Sequence, residues 1–353
     1  MDADGRRKTL IDSDRIRKFC HLYSKDFSGF TCVLKYPYIS HNTLHEFWLK
    51  FMITENWLPK HTTGRVVLFL AFLFMFGMIW FPILEMFYWS FFVKEPGVFE
   101  FAGLSNFQKL FTNDPIFWKS LQVTFSFAVM VVPGVVGLGL LLALAVNTIK
   151  STTIRGIFTV SFFTAYVVPL VAIALVWRYI YLPGKQGLLN VIVDWFGVNP
   201  IRWLSTSEWA LRSLAILRIW KEAGYAMVLF LAGLQAIPKE FYEAAEVDGA
   251  NGWRRFRHIT IPLLTPMIAF VVVITTLGAF LAFTEVYVIT TQDSGGGRGG
   301  PNFATNLMAF HIFNTAIAYG HEGYGSAMSA VFFVIMVAVG YGQYRFIRAS
   351  FEY

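Results

Sequence analysis

Long apolar runs alternate with more polar joints along this chain, and the runs have the length of membrane spans. Residues 66–84 carry no charge, and the apolar character continues past Glu85 to about residue 92. Comparable runs cover 121–146, 157–179, 209–234, 263–289 and 327–346. A helix needs roughly 20 apolar residues to cross the hydrocarbon core. The pattern therefore predicts six transmembrane helices and an all-α integral membrane fold. Residues 1–64 precede the first run as a separate polar arm. Within it Leu44, Phe47, Trp48, Phe51 and Met52 share one helical face, with Glu46 and Lys50 off it. This reads either as an amphipathic helix lying at the membrane surface or as a poorly ordered arm. A cleaved signal would place its apolar core within about 15–30 residues of the start, so the run beginning at residue 66 is read as retained.

Composition agrees with the pattern: 56% of residues are hydrophobic and 14% charged, against about a quarter charged in an ordinary soluble domain. The net charge of +7 is explained by topology. With the N-terminus inside, the inner segments hold Lys150 and Arg155, then Lys239, Arg254, Arg255 and Arg257, then Arg345 and Arg348. The outer loops are longer and sparser in Lys and Arg, which predicts both termini on the cytoplasmic side and no role for nucleic acid. The two cysteines, Cys20 and Cys32, build neither a disulfide framework nor a metal site. His41 and His45 share a helical face but lack a third ligand, and no metal is expected.

The joint between the fourth and fifth runs is unlike the others. Pro238 suits the first turn of a helix and Gly249 the left-handed position after its end, which predicts a short capped helix over 239–248. Asn251 can cap a second helix over 253–258, ahead of Pro262. Ala244 and Ala245 leave a low surface flanked by Glu243 and Glu246, suited to close packing by another protein. The bland alternative is a loop that only turns the chain, for which about 2–8 residues suffice.

The fourth run contains charges. Arg218, Lys221 and Glu222 share a face and either line a polar pathway or form an internal pair packed on a neighbouring span. Glu85 and Glu285 lie nearer the predicted outer ends, where snorkelling accounts for them. His258, His311 and His321 lack an evident acid partner, which argues against a membrane-embedded transferase. No paired inverted halves are visible, which argues against a stand-alone ion-coupled transporter.

Glu243-Ala244-Ala245, three residues, Gly249, nine residues, Ile259, one residue, then Ile261-Pro262 resembles the EAA loop of the permease subunits of bacterial binding-protein-dependent ABC importers. Ile261 departs from the Leu favoured there. Ile237-Pro238, Tyr242, Asp248-Gly249-Ala250, Trp253 and Phe256 are similar to the carbohydrate branch, specifically the larger permease of maltose-type and glycerol-phosphate-type systems. So are Gly103-Leu104-Ser105-Asn106-Phe107, Gly187-Leu188-Leu189-Asn190, Gly299-Gly300-Pro301 and Gly323-Tyr324-Gly325-Ser326-Ala327. The resemblance runs from about residue 66 to the C-terminus, leaves out the arm, and implies a permease domain over 65–353. It implies type I importer architecture, with the 238–262 joint as a coupling helix between spans four and five. It also implies that Glu243, Ala244, Ala245, Asp248, Gly249 and Pro262 engage the ATPase, and that substrate moves by alternating access.

The Gly295–Gly300 glycine run has no Lys-Ser/Thr after it, and no phosphate-binding loop occurs elsewhere. The chain is thus expected to be non-catalytic, with ATP and Mg on two copies of a separate ATPase subunit. A second permease, either a copy of this chain or, as the resembled branch favours, a different chain, and an extracytoplasmic solute-binding protein are the other implied partners, in a bacterial inner membrane. The implied cargo is a sugar, with polyols and glycerol-phosphate diesters as alternatives. Trp220, Lys221, Tyr225, Thr284, Glu285 and Tyr287 are the candidate pathway residues, because aromatic faces stack on sugar rings; packing is the alternative role for the aromatics.

Overall fold

A computed structural model describes residues 62–290 and 299–349. The arm with its Leu44 to Met52 stripe, His41 and His45 lies outside the described residues, as does most of the glycine run. The chain divides into two units, Met1–Trp80 and Phe81–Tyr353. In the first, α1 (Thr62–Met75) leads into a π turn, Phe76–Trp80. Its large apolar side chains face outward, Phe69 at 66% and Phe72 at 69% exposed, as expected of a segment solvated by lipid.

The second unit opens with α2 (Phe81–Trp89), followed by a hairpin of β1 (Phe92–Glu95) and β2 (Val98–Phe101). Pro96 and Gly97, the latter at φ +85°, form its two-residue turn, with Glu95 opposite Val98. The first predicted span therefore ends at Trp89, not near residue 92. After α3 (Ser105–Asn113), the 33-residue α4 (Pro115–Asn147) starts where Asp114 accepts from the Phe117 N–H at 2.8 Å. Then come α5 (Thr152–Val167), α6 (Leu170–Ile180), α7 (Leu188–Trp195) and α8 (Ser207–Ala236). The joint holds α9 (Lys239–Val247) and α10 (Gly252–Arg255). The remainder is α11 (Ile261–Phe280), α12 (Thr284–Thr290), α13 (Met308–Phe313) and α14 (Glu322–Ala349).

α8 is the centre of this unit, buried along Leu214, Leu217, Met227, Phe230 and Leu234 and packed on α4, α5 and α11. Small residues let the two longest helices meet: a Cβ on Gly139 of α4 would lie 2.6 Å from the Ala226 Cβ of α8. Among the described residues four helices are long and apolar enough to cross a membrane: Gly64–Trp89, Pro115–Asn147, Gly252–Phe280 and Glu322–Ile347. A bent pair makes a fifth. α8 has the length, about 45 Å at 1.5 Å per residue, but carries the charges that keep it out of that set.

Two predicted spans are broken. The third bends by 95° between α5 and α6, because Pro169 has no N–H to continue the helix and holds Val168 extended (φ −63°, ψ 134°). The fifth stops at Phe280 and resumes as α12.

Candidate functional site

The joint between α8 and α11 folds as a stapled unit. Pro238 is extended (φ −59°, ψ 138°) and stands just before α9 rather than in its first turn, a one-residue correction to the expectation. At the other end Gly249 has φ +72°. Its N–H donates to the Glu246 carbonyl (3.0 Å) and that of Ala250 to the Ala245 carbonyl (2.8 Å), the double closure a left-handed residue permits. Asp248 is the last residue before that glycine. Asn251 then caps α10, its Oδ1 accepting from the Arg254 N–H at 2.9 Å. Arg255 pairs with Glu246 at 3.2 Å, and the Tyr242 hydroxyl lies 3.0 Å from Thr260 Oγ1.

The second helix does not end ahead of Pro262, as the sequence had suggested. It continues through a π turn, Phe256–Thr260, into α11. Pro262 has no N–H and its ring would press on the carbonyl four residues back; in the wider turn the Ile261 N–H reaches the Phe256 carbonyl instead. α9 is thereby tied through α10 to a long apolar helix. Glu243 and Ala244 are exposed and Ala245 half-buried. Around them Val247 is 89%, Trp253 68% and Phe241 51% exposed, an apolar collar on an otherwise polar element.

The charges of α8 are internally matched. Arg218 Nε lies 2.7 Å from Glu222 Oε1, and its Nη1 lies 3.0 Å from Glu285 Oε1. Its Nη2 donates to the Gly278 carbonyl at 3.2 Å, one of the last carbonyls of α11. Arg218 thus bridges the break between α11 and α12. The internal-pair alternative holds, with a third member, while snorkelling of Glu285 does not: its side chain is fully buried. Lys221 is also buried, and its ammonium donates to the carbonyls of Tyr166 (2.6 Å), Val168 (3.0 Å) and Ala165 (3.5 Å).

Of the aromatic candidates, Trp220 is 45% and Tyr287 46% exposed, while Tyr225 stacks on Tyr166 at 4.5 Å. Thr284 is half-buried at the start of α12. Two of them lie in separate aromatic groups. Trp220 meets Trp177 at 5.5 Å across a cleft of about 400 Å³, whereas Tyr287 belongs to a cluster with Phe283 and Phe313.

At the opposite end from α9, buried polar side chains hold the loops, and sequence reasoning missed their roles. Asn190 Nδ2 donates to the Leu182 (3.2 Å) and Ile201 (3.0 Å) carbonyls, and its Oδ1 accepts from Ile201 N–H and Trp203 Nε1. Asn106 donates to the Ser90 and Phe92 carbonyls. The Tyr324 hydroxyl donates to Asp114 Oδ2 at 2.6 Å, and that of Tyr181 to the Ser213 carbonyl at 2.6 Å; burial pushes the Tyr181 phenol up from its ordinary range. His321 has an acid neighbour after all, Glu95 at 2.7 Å. The signal was present, since Asn106 and Asn190 stand in two of the quoted motifs. Asn190→Ala removes an amide that is 1% exposed and strands Trp203 Nε1 and the Ile201 N–H, at about 1–3 kcal/mol for an unpaired buried group. A lowered thermal midpoint of the solubilised protein is the expected result.

Residues 135–352 match the family model described as "Binding-protein-dependent transport system inner membrane component". The chain belongs to this family. The permease is 33% identical over 296 residues to the arabinooligosaccharides transport system permease protein AraP of Bacillus subtilis (strain 168), covering 83% of this chain and 89% of that protein. It is 36% identical over 238 residues to the trehalose/maltose transport system permease protein MalF of Thermococcus litoralis, covering 67% and 77%. Its fold matches a chain in the crystal structure of a bacterial ABC transporter involved in the import of the acidic polysaccharide alginate. The TM-score is 0.68 at 21% identity, over 86% of this chain and 99% of that one. This membrane permease therefore has the fold of an ABC importer permease, with several apolar helices.

Proposed function

We propose that the chain is the membrane-spanning subunit of an ATP-driven, binding-protein-dependent importer that carries a sugar or related carbohydrate across the inner membrane by alternating access. α9 is its coupling helix, and Glu243, Ala244, Ala245, Asp248, Gly249 and Pro262 form or support the surface seated on the ATPase. One observation carries the reading: a capped helix with an exposed apolar collar, stapled across the Gly249 turn to α10, which runs on without a break into α11. Force applied at α9 reaches the membrane interior without a flexible link. A stand-alone secondary transporter has no use for such an element.

On this reading residues 65–353 form the permease domain, with α8 counted as a span and the bent α5–α6 pair as another. Six spans then put both termini, the arm included, on the cytoplasmic side with α9. ATP and Mg belong to two copies of a separate ATPase subunit, and this chain holds no cofactor. A second, different permease and an extracytoplasmic binding protein complete the assembly. Sugar as cargo is supported by the names of relatives that handle arabinooligosaccharides, trehalose and maltose, or lactose; glycerol-phosphate diesters and polyols are the alternative.

The test is to tag the C-terminus, extract the complex from its own membrane in mild detergent, and weigh what co-purifies. Two ATPase copies with a second permease are expected; a chain that purifies alone even after crosslinking overturns the reading. Of the pathway candidates Trp220, Lys221, Tyr225, Thr284, Glu285 and Tyr287, the half-exposed aromatics are the ones to truncate. Trp220→Ala and Tyr287→Ala are expected to lower uptake of labelled maltose, lactose or arabinotriose while the complex assembles normally. A stacking contact of about 0.5–1.5 kcal/mol corresponds to roughly two- to tenfold, and unchanged uptake on every probe removes these two from the pathway.

A further inference from the structure

We propose that Lys221 is a positioning residue: its ammonium pins the elbow between α5 and α6 onto α8, and so sets where α6 stands relative to Trp220. Pro169 lacks the N–H that would serve the Ala165 carbonyl, and the extended Val168 ends the helix before its other late carbonyls find partners. Inside an apolar segment, a carbonyl without a donor is costly unless protein supplies one. Lys221 supplies it. Its three donors face the carbonyls of Ala165, Tyr166 and Val168, and a cation is favoured at a helix C-terminus.

The approach is built for this contact. Gly224 lies one turn along α8 from Lys221, and a Cβ there would collide with the Phe162 carbonyl; only glycine lets α5 come this close. Lys221 itself is 9% exposed. Pro169, Gly224 and Lys221 are thus one joint made of a break, a close approach and a cap.

Trp220, the residue before Lys221, gives the joint its consequence. The cleft of about 400 Å³ is bounded on one side by Val168, Ile173, Val176, Trp177 and Ile180 of the elbow and α6, and on the other by Trp220. α6 packs in turn on α12. If the elbow slips, the Trp177–Trp220 pair opens and the cleft changes shape. The transport consequence rests on the permease reading; the geometry does not.

The experiment uses the full complex in lipid nanodiscs, with Cys20 and Cys32 replaced by serine. Spin labels at Val176→Cys on α6 and Ile216→Cys on α8, both exposed positions, report the elbow. A control pair joins Val129→Cys on α4 to Ile216→Cys. Lys221→Met is expected to shift or broaden the first distance distribution and leave the control unchanged. Binding-protein-dependent ATP hydrolysis should fall about tenfold, the order expected for lost charge-assisted hydrogen bonds. In a Pro169→Ala background, where residue 169 again has an N–H for the Ala165 carbonyl, the same change should cost less than about threefold. An unchanged elbow distance in Lys221→Met overturns the proposal, as does an equal loss in both backgrounds. If Lys221→Met fails to assemble, Pro169→Ala must restore assembly, and failure to do so also overturns it. A wild-type complex without ATP hydrolysis overturns the permease reading instead, while the two distances still judge Lys221.

Discussion

Gly249→Val is expected to reduce uptake by about tenfold or more and to release the ATPase subunit from the complex on gentle washing, without lowering the thermal midpoint of the membrane-spanning unit. Gly249 sits at φ +72°, where an L-residue is strained by about 1–2 kcal/mol and a β-branched one by more. A Cβ at this position meets nothing within 4 Å, so the effect is one of backbone angle, not of a clash. Relieving the strain means giving up the two N–H bonds that close α9, and with them the short path by which Ala250 and Asn251 deliver the chain into α10. The helix that carries Glu243, Ala244 and Ala245 would then no longer be fixed to α11. Asparagine tolerates the left-handed region better than other non-glycine residues, which supplies the control. Gly249→Asn should retain uptake within about threefold, since the αL cost falls to a fraction of that for valine. Full uptake and normal ATPase retention in the valine variant would remove α9 from the coupling role.

How much of this was legible in the sequence depends on how local each determinant is. The α9 joint reads well because its signals are one to four residues apart: a glycine after the last turn, an asparagine cap, prolines at helix starts. Even there Pro238 fell one position from where it was expected, and Pro262 turned out to sit within a continuous helix because a π turn absorbs its missing N–H. The apolar runs gave the long helices but hid both breaks, since a hydropathy window averages across Val168 and Pro169, or across Leu281 to Phe283, as readily as across an intact turn. Pro169 was a visible warning. The second break offered none, because part of what occupies its carbonyls and acidic first turn is Arg218, separated from Glu285 by 67 positions. The buried role of Lys221 was likewise invisible: its partners are backbone carbonyls, which leave no mark in a sequence. The hairpin around Pro96 and Gly97 has a local turn signal, but its apolar strands merge with the end of the first run.

Arg218→Met is expected to be among the most damaging single changes in the membrane interior, and the reason is the company Arg218 keeps. One guanidinium pairs with two carboxylates, Glu222 at 2.7 Å and Glu285 at 3.0 Å, and Glu285 has no exposed side-chain surface at all. Its second oxygen, Oε2, has no hydrogen-bond partner among the described residues, and the side chain has no surface at which solvent could take over. Removing the guanidinium strands a buried charge, a change that costs about 3–5 kcal/mol, and also frees the Gly278 carbonyl at the end of α11. The assembled complex should be recovered in much lower yield, with a thermal midpoint several degrees down. Glu285→Gln alone should be milder, since Arg218 keeps Glu222 and an amide can still accept from Nη1. The decisive comparison is the pair: if the damage comes from the stranded carboxylate, Arg218→Met combined with Glu285→Gln should regain a large part of the yield lost by Arg218→Met. If the double variant is as poor as the single one, the loss lies with Glu222, which it still strands, or with the bond to Gly278; adding Glu222→Gln recovers the yield in the first case and not in the second, where the break between α11 and α12 depends on Arg218 as a cap for the carbonyl, as the break between α5 and α6 is proposed to depend on Lys221.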